Sequence, residues 1–267
     1  MKSDMMRVIL IAVALLTSTT AIAAEEEVHA PNQDWSFEGP FGVFDRASLQ
    51  RGYQVYREVC AACHSMDFMY FRMLGQEGGP FYDEDYPNPN DNPVIKALSA
   101  EFQIEDGPDD LGDMFMRPGQ TSDRFPNPYP NQNAARAANG GAYPPDLSVI
   151  VKARGGGADY IDALMTGYKD APEGEEPPRA GLYYNEYFAG HWIAMPPQLT
   201  EGRVTYEDGT EATPEQMAED VTTFLAWASE PHMETRKRMG FGVIIFLIIL
   251  SGLTFLAYKE VWRDVEH

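Results

Sequence analysis

The stretch Cys60-Ala61-Ala62-Cys63-His64 decides how the rest of the chain is interpreted. A Cys-x-x-Cys-His run is the signature of c-type haem attachment: two thiols add to the haem vinyl groups, and the imidazole that follows binds the iron. The 267-residue chain contains two cysteines and both lie here, so no thiol remains for a separate disulfide or a four-cysteine zinc site. A thioredoxin-like redox pair is the alternative, but such a pair usually lies within a βαβ unit, which the surrounding sequence does not predict. The motif therefore predicts one covalently bound haem c.

The residues before the motif predict a helix over 44–59. Four apolar side chains fall near one face of this helix: Leu49, Tyr53, Tyr56 and Val59. Gly52 has no side chain and would let another element approach closely. The helix would deliver the axial histidine from a rigid element, and its aromatic residues are interpreted as core rather than as electron conduits.

A second helix is predicted near the far end of the chain. Thr213-Pro214-Glu215-Gln216 combines a capping box with a proline in the first turn, which is typical of a helix start. An apolar stripe follows and ends before Pro231: Met217, Val221, Phe224, Leu225 and Ala228. We expect this helix to pack against the one that precedes Cys60.

The intervening sequence predicts long loops with short helices. It contains most of the 20 prolines and 23 glycines, and residues 75–92 and 117–130 read as surface loop and extended chain. Short helices are predicted over residues 93–103, 133–138, 147–153 and 160–166. Asp146 is a candidate N-cap for the third of these. The fold class is therefore mainly α, with long loop insertions.

A haem in an electron carrier needs a second axial ligand from a distant part of the chain, and this is commonly a methionine. Met195 stands in Ala194-Met195-Pro196-Pro197, where the prolines would hold its side chain still. Position alone leaves Met114, Met116 and Met165 open, and His191 is a rival ligand.

Both ends of the chain carry membrane-related signals. Residues 1–23 have a positive start, a short apolar run and a small-x-small end, which predicts a cleaved export signal. Near the other end, residues 240–258 form an uncharged run long enough to span a bilayer. We expect a haem domain over residues 24–232, an anchor helix over 233–258 and a short cytoplasmic tail over 259–267.

The orientation of the anchor poses a conflict. Arg236, Lys237 and Arg238 precede the apolar run, and the positive-inside rule would place them in the cytoplasm. The export signal and extracytoplasmic haem attachment place the large domain outside. We give the second argument more weight and expect a single-pass protein of a bacterial cytoplasmic membrane, with its haem domain in the periplasm.

The charge of the chain narrows the choice of partners. The formal net charge is −21, which excludes nucleic-acid binding through phosphate contacts and favours a basic partner. The sharpest acidic cluster is Glu105-Asp106-Gly107-Pro108-Asp109-Asp110, followed by Asp113. As an isolated charge run it is first of all a solvated loop, and it lacks the spacing of a calcium-binding EF-hand loop.

Together these segments resemble the cytochrome c1 family, the c-type haem subunit of the bc1 complex (ubiquinol–cytochrome c reductase). The resemblance covers nearly all of the chain after the export signal. The matching motifs are Gly52-Tyr53-Gln54-Val55-Tyr56, the haem motif with Ser65-Met66, Asp113-Met114-Phe115-Met116-Arg117-Pro118-Gly119, Ala134-Ala135-Arg136-Ala137-Ala138-Asn139, Pro144-Pro145-Asp146-Leu147-Ser148, Ala194-Met195-Pro196-Pro197 and Ala228-Ser229-Glu230-Pro231.

The resemblance implies a cytochrome c-like haem domain and a role for particular residues. Cys60 and Cys63 match the thioether cysteines, His64 the proximal iron ligand and Met195 the distal one. Four further residues match positions at the haem pocket: Arg154 beside a propionate, Tyr160 on the same edge, and Asn139 and Pro145 nearby. A second cysteine pair found in some bacterial members is missing here.

The resemblance also implies a function. The chain would take one electron from a Rieske iron–sulfur protein and pass it to a soluble, basic c-type cytochrome, beside cytochrome b in a dimeric complex that couples quinol oxidation to proton translocation. It would be a subunit of an oxidoreductase and supply no acid, base or nucleophile itself. Two other classes stay open: a haem enzyme such as a peroxidase, which needs a free iron position, and a stand-alone anchored shuttle or sensor.

Overall fold

The computed structural model describes residues 29–265, so the predicted export signal lies outside the described residues. Within this range seven α-helices and two short strand pairs are found. The helices are α1 (Arg46–Val55), α2 (Pro93–Ala100), α3 (Gln132–Ala138), α4 (Ile150–Ala153), α5 (Gly157–Thr166), α6 (Pro214–Ser229) and α7 (Met233–Val261). The strands are β1 (Gln103–Asp106), β2 (Phe115–Pro118), β3 (Tyr183–Tyr184) and β4 (Trp192–Ile193). The predicted fold class, mainly α with one C-terminal apolar helix, is confirmed.

Helices α1 and α6 form the centre of the domain, as the sequence predicts, and α4 and α5 pack on α6 beside them. The two central helices approach closely at Gly52, where an added Cβ would lie 2.0 Å from the backbone oxygen of Asp220. The Asp220 carboxylate is fully buried and accepts hydrogen bonds from the guanidinium of Arg51 at 2.8 and 2.9 Å and from Ser48 Oγ at 2.8 Å. Hydrogen bonds and an ion pair thus join α1 and α6 next to the close contact at Gly52.

Both central helices begin at side-chain caps. Asp45 accepts a hydrogen bond from the backbone nitrogen of Ser48 at the start of α1, and Thr213 accepts one from Gln216 at the start of α6. The predicted apolar stripes of both helices are buried. They enclose an aromatic cluster in which neighbouring rings lie 5.0–6.2 Å apart: Tyr53, Tyr56, Phe71, Phe125 and Phe224.

Two hairpins were not expected from the sequence. Strands β1 and β2 pair antiparallel with Gln103 opposite Pro118, so the predicted helix over 93–103 ends early, at Ala100, and the predicted loop over 117–130 begins as a strand. Strands β3 and β4 pair antiparallel with Tyr183 opposite Ile193. The second hairpin ends two residues before Met195 and so positions the backbone at that residue.

Helix α7 contains the predicted anchor and runs for 29 residues. It is the one helix among residues 29–265 that is long and apolar enough to cross a membrane, with a mean hydropathy of 2.5 over its most apolar window. The apolar side chains of that window are exposed rather than packed against the domain, which is unlike a core helix of a soluble protein.

Candidate cofactor site

The cysteine–histidine motif follows directly from the central helix pair. A π-helical turn, Tyr56–Cys60, continues α1 up to the first cysteine. The backbone nitrogens of Cys63 and His64 then donate to the Cys60 carbonyl at 3.1 and 2.9 Å. No disulfide joins the two cysteines, and both are half-buried. One helix end therefore presents two thiols and an imidazole together, and π-turns are frequent at functional sites.

The electrostatics of Cys60 do not suit a redox pair. Burial, and to a smaller degree the neighbouring Cys63, raises the pKa of the Cys60 thiol to about 12. A reactive redox cysteine needs a lowered pKa, which a helix N-terminus or a nearby cation provides. Cys60 lies instead at the C-terminal end of a helix, so neither feature activates this thiol as a redox nucleophile.

The His64 ring is held in the form that binds a metal. Its Nδ1 lies 2.8 Å from the backbone oxygen of Pro145. A carbonyl oxygen can only accept, so Nδ1 carries the hydrogen and Nε2 keeps a free lone pair. Burial lowers the pKa of His64, and the Pro145 bond and the charge of Asp146 offset this only in part, so the neutral imidazole is favoured. The donor set, two thiols and a neutral imidazole on one turn, fits a c-type haem.

Asp146 ties the segment after the motif to the segment that carries Pro145. One of its carboxylate oxygens accepts from Ser65 Oγ at 2.8 Å and from the backbone nitrogen of Asp67 at 2.7 Å, and the other accepts from the backbone nitrogen of Ser148 at 2.8 Å. Burial raises the pKa of Asp146, but the hydrogen bonds outweigh it and the pKa is lowered. The carboxylate therefore stays charged and holds the histidine's acceptor in place.

The predicted role of Asp146 as a helix N-cap is wrong. Helix α4 begins at Ile150, three residues later than the predicted start, and Val149 precedes it without a side-chain cap. An aspartate that bonds the backbone two residues on is typical of both an N-cap and an Asx turn, and the local pattern cannot separate them. Here the turn leaves the second carboxylate oxygen free to reach Ser65 and Asp67.

Asn139 reaches the cysteine motif through Tyr129, which no sequence motif marks. Its side-chain nitrogen donates to Ala135 O at 2.7 Å and to the hydroxyl of Tyr129 at 3.2 Å, and that hydroxyl lies 3.9 Å from Cys63 Sγ. Tyr129 lies in a proline-rich stretch that predicts only extended chain. Nothing in the local sequence indicates that Tyr129 lies close to Cys63.

Met195 is half-buried and follows the β3–β4 hairpin. Its backbone oxygen accepts a hydrogen bond from the hydroxyl of Tyr168 at 3.0 Å. At the turn of the hairpin the buried Asn185 donates to Leu164 O at 2.8 Å, which ties the hairpin to helix α5. These contacts position the Met195 backbone, and its role as an iron ligand stays a prediction.

The rival ligands have other surroundings. Met114 and Met116 lie exposed on the first hairpin, and Met165 packs against the domain core. The ring of His191 stacks on Tyr184 with centroids 5.5 Å apart, and its Nδ1 lies 3.3 Å from Asn185 O. His191 is thus engaged within its own hairpin.

Arg154 follows the end of α4, and Tyr160 lies in the first turn of α5, close enough for the two groups to interact electrostatically. Tyr160 is half-buried against the core, and burial raises the pKa of its hydroxyl while the charge of Arg154 opposes this. Arg154 is exposed. An exposed guanidinium beside a half-buried phenol is suited to a carboxylate at the edge of a cofactor, and these roles too stay predictions.

The domain is helical, carries a Cys-x-x-Cys-His turn whose imidazole is bonded through Nδ1, and continues into an apolar helix long enough for a bilayer. These are the features of a membrane-anchored haem protein of electron transport. The chain belongs to the cytochrome c1 family, whose model matches residues 35–265.

Three relatives illustrate the match. The chain is 49% identical to cytochrome b/c1 of Bradyrhizobium diazoefficiens over 91% of its own length and 37% of that protein. It is 50% identical to cytochrome c1-2, heme protein, mitochondrial of Solanum tuberosum, over 91% of this chain and 89% of that one. It is 45% identical to cytochrome c1 of Rhodospirillum rubrum over 92% of both. The chain thus spans little more than a third of the Bradyrhizobium protein and about nine-tenths of the other two.

Proposed function

We propose that the chain binds one haem c covalently through Cys60 and Cys63, with His64 as the proximal iron ligand. The hydrogen bond from His64 Nδ1 to Pro145 carries this proposal, because it leaves Nε2 free beside the two thiols. The Solanum relative's name as a heme protein agrees with it. When bound, the haem supplies a one-electron redox centre. A denaturing gel stained for haem tests the attachment, since covalent haem stays with the chain and haem held only by ligands is lost.

Met195 is proposed as the distal ligand. Its half-buried position after a braced hairpin suits a fixed thioether, which raises the potential of haem iron. The test is Met195→Leu in the full-length haem protein, with visible spectrum and midpoint potential as readouts. We expect loss of the sulfur-to-iron absorption band and a lower potential. Met116→Leu, at an exposed methionine, is the matched control and should change neither.

Two filled axial positions would leave no iron site open to small ligands. We therefore expect the reduced protein to bind carbon monoxide only after Met195→Leu. Rapid binding by the parent protein would instead favour a peroxidase-like enzyme with a labile sixth position. Arg154, Tyr160, Asn139 and Pro145 complete the proposed pocket.

We propose that the chain acts as the electron-transfer subunit of a bc1 complex, taking one electron from a Rieske iron–sulfur protein and passing it to a soluble c-type cytochrome. Membership of the family supports this, and so does the relative whose name joins cytochrome b with c1. Purification in mild detergent tests it: cytochrome b and a Rieske protein should co-purify, in a dimeric assembly, whereas a lone haem protein would favour an anchored shuttle or sensor.

The soluble acceptor is proposed to be basic. Acidic side chains lie exposed in two loops, over residues 83–85 and 109–113, within a chain of net charge −21. Such a surface raises the association rate of a cationic partner at low salt, and the effect is lost as the screening length falls to roughly 10 Å at 0.1 M. Turnover with a basic cytochrome should fall with ionic strength, and a flat profile would contradict charge steering.

A further inference from the structure

The turn over residues 37–44, Phe37-Glu38-Gly39-Pro40-Phe41-Gly42-Val43-Phe44, places apolar side chains in two unlike settings. At its base Phe37 and Phe44 are buried and their rings lie 4.9 Å apart. At its tip Phe41 is 76% exposed, and Val43 beside it is 55% exposed. A large aromatic side chain that is exposed to this degree is a candidate contact with a partner molecule or a membrane.

The turn is tightly closed. At Gly42 an added Cβ would lie 1.9 Å from the backbone oxygen of Glu38, so only glycine lets the chain double back so tightly. Lys237 Nζ bridges the two arms, donating to Phe37 O at 2.6 Å and to Gly42 O at 3.1 Å. The exposed tip is therefore held in place from below rather than free to fold inward.

The same turn is fastened to the first turns of α7. Glu234 accepts a hydrogen bond from the backbone nitrogen of Phe44 at 2.9 Å and pairs with Arg46 at 2.7 Å. With Lys237 these contacts tie residues about 190 positions apart in the sequence. The turn and the start of the anchor helix thus form one unit.

The contact between Phe41 and Phe241 shows the level along α7 at which the tip of the turn lies. Their ring centroids lie 5.9 Å apart in an edge-to-face arrangement. Phe241 is the second residue of the uncharged run over 240–258, and at 1.5 Å per residue nineteen residues span about 28 Å, close to the roughly 30 Å of a hydrocarbon core. Phe241 therefore lies at the boundary between headgroups and acyl chains, and Phe41 lies at the same level.

We propose that this turn is a second membrane contact, in which Phe41 and Val43 enter the headgroup–acyl boundary of the lipid bilayer beside α7. The proposal rests on α7 being a membrane span and adds to the proposed electron-transfer function. Lipid is favoured over a protein partner because two apolar side chains are far fewer than the 20–30 residues a side of a stable protein interface. A small apolar tip continuous with a lipid-facing helix suits an interfacial insertion. Two contacts, unlike one helix, also restrict how the haem domain tilts over the membrane.

Site-directed spin labelling of the full-length haem protein in phosphatidylcholine vesicles tests this. Haem attachment engages both native cysteines, so an introduced thiol is labelled alone. We compare Phe41→Cys with Glu38→Cys, an exposed position in the same turn, and with Leu247→Cys inside the span. Relaxation by oxygen, which concentrates in lipid, is measured against relaxation by a water-soluble nickel complex. An unchanged visible spectrum shows that each variant has kept its fold.

The expected oxygen-to-nickel accessibility ratio is roughly threefold or more higher at position 41 than at 38, and highest at 247. A ratio at 41 as low as at 38, with a high ratio at 247, overturns this proposal and leaves the anchor intact. A label at 41 that neither reagent reaches shows a protein cover, such as a second copy of this chain, and also overturns it. A low ratio at 247 overturns the span and this contact together.

Discussion

Replacing Gly52 by alanine is expected to destabilise the domain, although alanine is the better helix former by about 1 kcal/mol. The added Cβ would lie 2.0 Å from the backbone oxygen of Asp220, 2.7 Å from its carbonyl carbon and 2.8 Å from Phe224 Cβ. A carbon–oxygen contact needs about 3.3 Å, so α1 and α6 would have to separate by more than about 1 Å. Backbone atoms cannot rotate away as a side chain could.

The clash outweighs the gain in helix propensity. Overpacking of a filled core costs about 1–3 kcal/mol and more where backbone is involved, so we expect a net loss of about 2–3 kcal/mol for Gly52→Ala. For a domain of this size 1 kcal/mol changes Tm by about 2–4 °C, which predicts a Tm roughly 5–10 °C lower.

Thermal unfolding of the full-length haem protein in detergent, followed by visible absorbance and far-ultraviolet circular dichroism, measures this effect. Gly155→Ala is the matched control, because nothing lies within 4 Å of its added Cβ and its backbone is outside the left-handed region. The control should unfold within about 2 °C of the parent, a change typical of an exposed site. If Gly52→Ala unfolds at or above the temperature of the parent, α1 and α6 are not in close contact at Gly52.

Three further substitutions test carboxylates of the domain through the stability of the full-length haem protein. Asp146→Asn loses two charge-assisted hydrogen bonds at one carboxylate oxygen, so we expect about 3 kcal/mol of destabilisation, while Asp113→Asn in an exposed loop should cost almost nothing. Equal stability of the two variants would contradict the role of Asp146 in tying the two segments together. Asp220→Asn weakens a fully buried acceptor of a guanidinium and should cost roughly 3–5 kcal/mol, seen as a lower denaturant midpoint at an unchanged slope. Burial raises the pKa of Asp162 to about 6, which the bond from Gln33 only partly offsets, so the folded state binds its proton more tightly than the unfolded state does. The free energy of unfolding of the parent therefore falls as pH rises from about 4 to about 6. Asparagine does not titrate, so the stability of Asp162→Asn relative to the parent should increase over that range by on the order of 2 kcal/mol and stay constant above it. A relative stability that does not change with pH would contradict the raised pKa.

The sequence predicted those elements whose signals are local. Helix α6 was recognisable because Thr213 caps it and its apolar stripe repeats at helical spacing, and both features are found. The close approach at Gly52 and the long apolar helix α7 were predicted for similarly local reasons. The β1–β2 hairpin was missed because its strands have four residues each and are half-exposed, which leaves too little alternation to detect.

The residues of the candidate site can be recognised from the sequence, but the contacts that hold them cannot. The Cys60–His64 motif predicts haem attachment from five consecutive residues. The hydrogen bond from His64 to Pro145 joins residues 81 positions apart, so it depends on the folded chain. Tyr129 and Asp146 were missed as site residues for the same reason, since each acts on a segment distant in sequence. Local patterns give a side chain's type and spacing, and only the tertiary structure shows what holds it.

The three cations at the start of α7, Arg236, Lys237 and Arg238, contact the rest of the domain in a way that the sequence does not predict. The orientation of the anchor stays a prediction, which labelling of a tail cysteine with an impermeant reagent in sealed vesicles would test. A cluster such as Arg236, Lys237 and Arg238 ordinarily indicates the cytoplasmic side of a span. Here Arg236 pairs with Glu230, Arg238 lies 3.3 Å from Glu77, and Lys237 donates to two backbone carbonyls of the turn that carries Phe41. All three cations therefore fasten the anchor to the haem domain. Because tethering accounts for their presence at this position, the cluster no longer argues against a haem domain on the periplasmic side.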